Sequence, residues 1–390
     1  RQGTRWDGRR QTDRKRQPIE RGRTMTGRER MEAALSAAGS PEVPVFVPYE
    51  DICFRDHVRE VAGPPWWWSA APELERQTEW RDAALTAIGH DAMMLPYGSP
   101  ASERGLWVSF ERDGVPILRN PTTGEERTIT PEPAGGWHSA FVPESQPGNE
   151  EEVDRAAGEP PDVDPSPLDL ARAMLARRPD LYPYRNVGAP FWMCYYLWGF
   201  EGLMETSARR PDLVRHGCER MLRHSVAALK AAREAGARGI WIEDCMSDML
   251  GPRAYGELAL PPLQAMVSEA RGLGLQTILY FCGDPWPVFR QLMASGADAL
   301  ALEESKKGFF VDIAEVVEEV DGRMAVFGNV DAMDLLQNGD EAQVAAEVER
   351  QLLAGRRTRG RFVLSLGSPV TPATPLARVR RFCEVARQPP

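Results

Sequence analysis

Leu275-Gln-Thr-Ile-Leu-Tyr-Phe-Cys-Gly-Asp284 is the stretch whose reading decides the fold. Residues 277–281 form an apolar run of strand length between Gly274 and Gly283, so they read as a buried strand. Tyr280, Cys282 and Asp284 cluster where that run stops. In α/β proteins the carboxyl ends of strands are where thiols and acids are put to chemical use. The plainer reading is a core strand with an inert cysteine and a turn aspartate.

Outward from this strand, helical patterns cover 254–273 before it and 285–295 after it. The alternation continues in both directions, with strands near 45, 92, 187, 240, 278, 300, 326 and 363. Eight strand–helix repeats at this length predict a single α/β domain, a (β/α)8 TIM barrel, over 25–390. An open doubly wound sheet would carry Gly-x-Gly-x-x-Gly after an early strand, and none is present. Thr26 and Glu29 have capping-box spacing at the first helix. An insertion over about 100–168 contains a β-meander at 106–130, turning at Asp113-Gly114 and Thr123-Gly124. Residues 131–168 follow as a surface excursion. Trp66, Trp67 and Trp68 are expected to pack or form a lid, with ligand stacking as the other reading.

The 390 residues carry 47 basic and 57 acidic side chains, a net charge of −10, which argues against a nucleic-acid-binding body. Nine of those basic residues fall in 1–24 against three acids, with no apolar pattern, so this segment is expected to be a disordered leader. Six cysteines without CxxC suit reduced thiols in a cytoplasmic protein. No apolar run approaches the ~20 residues that cross a membrane.

The strand ends, which share one mouth in a barrel, are rich in acids. From them come candidate catalytic residues Glu243, Asp244, Tyr280, Cys282 and Glu303, and candidate substrate-binding residues Glu50, Tyr196, Asn329, Asp331 and Ser368. Like charges in one cleft repel and need a cation or a partner. The acids suit general acid–base work or an amine-bearing ligand, and Tyr196, Tyr280 and the tryptophans suit an aromatic wall for quaternary ammonium or methoxy-aromatic groups. Lys306 and Lys307 either neutralise Glu303 and Glu304, hold an anionic substrate group, or are surface charge. The five histidines, at 57, 90, 138, 216 and 224, show no metal spacing.

Gly188-Ala-Pro-Phe191 with Tyr196, Cys282-Gly-Asp284, Gly328-Asn-Val-Asp331 and Leu364-Ser-Leu-Gly-Ser-Pro-Val-Thr-Pro-Ala-Thr-Pro375 occur in this order. Together they resemble the uroporphyrinogen decarboxylase superfamily over roughly 27–387, most strongly in the last 150 residues. Its decarboxylase branch implies an Arg-rich loop after the first strand, where this chain reads Pro48-Tyr-Glu-Asp-Ile-Cys53. That branch also implies an aspartate at the position of Gly98 and a histidine at that of Ser368. The second branch, methyltransferases working with corrinoid proteins, implies His-x-Cys on the opening strand and a later cysteine, all on zinc. Cys282 matches the first cysteine, while Tyr280 and Ser368 stand at the other two positions. The expectation from the resemblance is methyl transfer between a small substrate or thiol and a corrinoid or folate carrier. Cys282 is the candidate zinc ligand, with Glu243, Asp244 or Cys245 as a rearranged set. Expected partners are a corrinoid protein and a second copy of the chain. The alternatives are porphyrinogen decarboxylation and a metal-free binding barrel.

Overall fold

The computed structural model describes residues 24–135, 141–160, 165–306 and 308–387. Most of the expected leader, together with His138, Lys307 and parts of the 131–168 excursion, lies outside them. Eight parallel strands form the barrel: β1 Val45–Phe46, β2 Ala92–Met94, β3 Tyr182–Gly188, β4 Gly239–Asp244, β5 Gln276–Phe281, β6 Ala299–Leu302, β7 Ala325–Phe327 and β8 Phe362–Ser365. Backbone ladders run from β2 in order through β8 to β1. β3 begins at Tyr182, earlier than the apolar run near 187, because Tyr182 and Tyr184 already pair with β2.

The last seam, between β1 and β2, is closed by single bonds rather than a ladder. The Asp91 amide donates to Val45 O at 2.9 Å. The Asp91 carboxylate accepts from Val45 N at 2.8 Å, and His90 Nδ1 accepts from Val47 N at 3.2 Å. Asp91 also holds Arg30 at 2.6 Å and Arg387 at 2.9 Å. Burial pushes its carboxyl up, but the Arg30 hydrogen bond and the two guanidinium charges outweigh that and hold it below the ordinary aspartate value.

Strand residues alternate between two buried layers. Phe46, Tyr184, Trp241, Tyr280 and Phe327 fill the barrel interior, while Val45, Ile242, Phe281, Leu302 and Leu364 face the helices. Met31, Ala34 and Leu35 from the first helix and its cap join the interior cluster, and the expected capping box of Thr26 and Glu29 starts that helix, Gly27–Ala34. Val108–Arg112, Val115–Arg119 and Glu126–Thr128 make a separate antiparallel sheet. Asp113 and Gly114 both have positive φ at its first turn, as a two-residue hairpin requires. Trp67 packs with Ala71 and Ile129 beneath this sheet, and the Arg76 guanidinium lies 5.1 Å from its ring centroid, so the tryptophan run is largely packing. The excursion contains a helix, Glu150–Ala157, that buries Val153 against helix Pro211–Ala235. Among the described residues no helix is long and apolar enough to cross a membrane.

Asp91 is therefore expected to dominate the acid response of the fold. A carboxyl held low in the folded state stabilises fully above its unfolded value near 3.8 and loses that contribution as pH falls through the lower folded value. Asp91→Ala should cost about 3–5 kcal/mol at neutral pH, since it leaves Arg30 without its buried partner. In urea melts, the gap to wild type should shrink steadily once the pH drops below about 4; a gap that stays constant there would contradict the assignment.

Candidate functional site

The two-residue period of the strands sorts the acids at their ends. On β4, Trp241 faces the interior, and Glu243 and Cys245 continue on that side. On β5, Ile278 and Tyr280 lead to Cys282; on β6, Ala299 and Ala301 lead to Glu303. Asp244 has the opposite parity. Its carboxylate accepts from the Tyr255 hydroxyl at 2.8 Å in the helix layer. Burial raises that acid to about 6, against the Ser247 and Tyr255 hydrogen bonds.

At the mouth, the Cys245 and Cys282 sulfurs lie 2.8 Å apart. Contact with Cys245 comes first, then burial and the Glu303 and Glu243 charges, in raising the Cys282 thiol well above its ordinary value. The next residue, Gly283, has φ +107°, and a Cβ there would run into the Asp248 carboxylate, so the turn needs glycine. Beside the thiols, Asn186 Nδ2 donates to Glu243 Oε1 at 3.2 Å. Burial raises Glu243 to about 7; the Tyr49 and Asn186 hydrogen bonds and Arg185 oppose this, and the Asp51 charge adds to it. The floor is aromatic: Trp241 and Tyr280 stack at 4.8 Å, and Tyr49 meets Tyr280 edge-on at 5.7 Å. Tyr49 reaches this position through a left-handed backbone, φ 54°, at the end of β1.

Across the mouth, Lys306 Nζ lies 2.7 Å from Glu303 Oε1 and 3.5 Å from Glu304 Oε1. It also donates to Ser368 Oγ at 2.7 Å. Glu303 Oε2 accepts the Gly283 amide at 2.9 Å, next to Cys282, and the Tyr280 hydroxyl donates to Gly367 O at 2.9 Å, next to Ser368. Tyr196, half exposed, stands at the rim among Trp192, Tyr195 and Phe141; burial and the Glu243 charge raise its hydroxyl.

The structure thus brings together Glu243, Tyr280, Cys282, Glu303 and Ser368, with Tyr196 beside them. It assigns the other candidates to structural bonds. Glu50 accepts from Met94 N at 2.8 Å and lies 3.0 Å from His90 Nε2, inside the β1–β2 seam. Asn329 donates to the Glu303 and Val311 carbonyls, and Asp331 caps the helical turn Ala332–Gln337 through Met333 and Asp334 amides. His57, buried, bridges Glu60 and Thr371 O. Tyr49 and Asn186 stand at the site but not among the candidates drawn from the sequence, and Lys306 takes the neutralising place expected for it beside Glu303 and Glu304. Asn186 was legible from parity with Tyr182 and Tyr184; the left-handed turn at Tyr49 was not.

Zinc at positions 280, 282 and 368 does not fit these side chains. A tyrosine hydroxyl engaged with a carbonyl and a serine hydroxyl engaged by an ammonium are poor zinc donors. Among the described residues no three His, Cys, Asp or Glu side chains group as a metal site. A separate cleft of about 380 Å³ lies beside helix Glu50–Asp56, lined by Asp51, Phe54, Arg55, Trp66, Trp80 and Arg81.

The family model for uroporphyrinogen decarboxylase (URO-D) matches residues 184–389. A uroporphyrinogen decarboxylase from Solibacter usitatus is 26% identical over 210 residues, 52% of this chain and 58% of that one. Another, from Nitrosomonas europaea, is 29% identical over 199 residues, 48% and 53% of the two chains. Methylcobamide:CoM methyltransferase MtbA from Methanosarcina mazei is 27% identical over 165 residues, 42% and 45%. The chain spans about half the length of the curated relatives it matches. A solved methyltransferase from Methanosarcina mazei, 20% identical, has the same fold with a TM-score of 0.67 over 93% of this chain and 98% of that one.

Two outcomes are expected of the site itself. A carboxyl raised to about 7 costs stability as pH climbs from 4.5 to 7, so Glu243→Gln should be more stable than wild type above about pH 7, by roughly 3 kcal/mol. Thermal melts across that range should show the gap closing toward pH 4.5. Adjacent registers on paired strands hold Cys245 and Cys282 within disulfide reach. Oxidised dithiothreitol, which takes up the two protons and two electrons, should link them, seen as one crosslinked peptide by mass spectrometry that Cys245→Ser lacks.

Proposed function

This chain belongs to the uroporphyrinogen decarboxylase family, and on that premise we propose that it moves a methyl group between a small substrate or thiol and a corrinoid or folate carrier. One observation carries the reading: a carboxyl with a pKa of about 7 stands beside two thiols, over an aromatic floor, in an acid-rich mouth. A methyl acceptor such as a thiol must lose its proton as it attacks, and a base poised near neutrality takes that proton most effectively. The S–H proton goes to Glu243, the sulfur lone pair forms the new S–C bond, and the electron pair of the broken bond stays with the carrier. Tyr49, partly exposed and backed by the buried Trp241 and Tyr280, offers the apolar face that a transferring methyl group needs.

Porphyrinogen decarboxylation, the activity named for several relatives, suits the mouth less well. A substrate bearing several carboxylates calls for free guanidinium clamps. Here Glu243, Glu303 and Glu304 line the mouth, and Lys306 is already paired with two of them. The name of the MtbA relative, a methylcobamide:CoM methyltransferase, favours the methyl reading.

The rim supports a protein carrier. Tyr97, Tyr196, Phe200, Met249, Phe310 and Met333 are all exposed, Phe310 to 66%, and each follows the carboxyl end of a barrel strand. Apolar side chains gathered at one face suit a docking protein. A reducing cytoplasm is the compartment we propose, since it would keep these cysteines as thiols.

The test supplies methylcobalamin with a panel of small thiols and follows the cobalamin spectrum and the methyl thioether by mass spectrometry. Wild type should turn over with a rate that rises through about pH 7, and Glu243→Gln should lose about a hundredfold or more in kcat. Carbon dioxide release from uroporphyrinogen, without methyl transfer to any thiol, would replace this reading with the decarboxylase one.

A further inference from the structure

We propose that Lys306 is the resident cation of the mouth, occupying the corner where the methyltransferase pattern calls for zinc. The inference concerns what holds the positive charge there, and it stands whatever substrate the barrel takes.

The hydrogen bonds lead to it. The three positions at issue are 280, 282 and 368, on β5 and after β8. Lys306 reaches Ser368 directly at 2.7 Å. Ser368 follows Gly367, whose carbonyl takes the Tyr280 hydroxyl. Lys306 reaches the Cys282 turn through Glu303, which accepts from the ammonium and from the Gly283 amide. One ammonium therefore touches position 368 directly and is linked to 282 through Glu303 and to 280 through the Gly367–Ser368 backbone, with the serine hydroxyl engaged by the ammonium and the tyrosine hydroxyl by a carbonyl.

The charges favour a cation at this point. Glu303 and Glu304 are 7% and 6% exposed, and two buried carboxylates side by side repel; burial raises the Glu304 carboxyl, and the Lys306 charge is the main force opposing that. Lys306 supplies the cation from the same loop, three residues beyond Glu303, with its side chain 26% exposed. Burial alone would lower the Lys306 ammonium; the hydrogen bond to Glu303 and the charges of Glu304 and Glu303 override it and keep the group protonated.

An ammonium and a zinc ion do different chemistry. Zinc accepts a lone pair and holds a thiol as thiolate at neutral pH. An ammonium has three donors and a fixed charge but no vacant coordination site. It screens the acids and fixes Glu303 and Ser368 without activating a thiol. Lys306 is a positioning residue, and proton removal from an incoming acceptor is left to Glu243.

The experiment is a zinc titration against a chromophoric chelator under reducing conditions. Wild type and Lys306→Arg should bind zinc only weakly and below one equivalent. Lys306→Met combined with Tyr280→His and Ser368→Cys should take up one zinc per chain, at least about a hundredfold more tightly than wild type, and lose it when Cys282→Ala is added. Wild type that binds one zinc tightly and loses it in Cys282→Ala would overturn the proposal. So would a triple variant with the wild-type circular dichroism spectrum and melting curve that binds zinc no better than wild type. Should the triple variant fail to fold, Lys306→Met alone decides: it should bind zinc about tenfold more tightly than Lys306→Arg, and equal affinities would sink the idea. Methyl transfer by the wild type is read separately, so failure of that activity with the zinc results as expected would remove only the functional reading.

Discussion

The register of β4 against β5, which sets Glu243 opposite Tyr280 and Asp244 opposite Phe281, governs the whole mouth. A slip of β4 by one residue would turn Glu243 and Cys245 toward the helices and bring Asp244 inward, away from Cys282. The same pairing sets Cys245 beside Cys282 and stacks Trp241 on Tyr280. The register is fixed by burial on both faces: Ile240, Ile242, Leu279 and Phe281 pack against helices while Trp241 and Ile278 fill the barrel. The chemistry at the strand ends depends on the core beneath it.

Charge at the mouth follows from depth. Glu243 and Asp244 sit one residue apart, and burial raises both, but to different ends. Asp244 has Tyr255 and Ser247 to hold it in the helix layer, so its role is structural. Glu243 lies at the strand end on the interior side, with the Asn186 amide and the Tyr49 phenol for partners. On the opposite side, Glu303 and Glu304 share Lys306. The barrel thus divides its acids between one poised near neutrality and a pair whose charge is already met.

Much of this was legible in the sequence. The eight strands, the meander with its Asp113-Gly114 turn and the capping box at Thr26 follow from period and turn chemistry, which are local. The family motifs of the last 150 residues also read directly. Treating every acid at a strand end as equivalent blurred the site, because parity separates Glu243 from Asp244. Asp331, just ahead of a helical turn, carried an N-cap signal that competes with a ligand role. Glu50 could not be sorted in this way. Its partners, His90 and Met94, are some forty residues distant and meet it only because the barrel closes there. Lys306 was visible as a counter-charge to Glu303 and Glu304, but its bond to Ser368 spans two loops that only the fold brings together.

The β1–β2 seam has a consequence for how the protein is made. Asp91 is held at once by Arg30, which precedes β1, and by Arg387, which follows the last helix, Leu376–Val385. The carboxylate cannot reach its full set of partners while Arg387 is still inside the ribosome. A nascent chain can pair β2 through β7 as they emerge, because each finds its neighbour in order. The strand made first must wait for β8, the strand made last, before it has a ladder at all. Closure of this barrel awaits the emergence of β8 and Arg387, and the exposed edges of β1 and β2 until then are what a chaperone would have to cover.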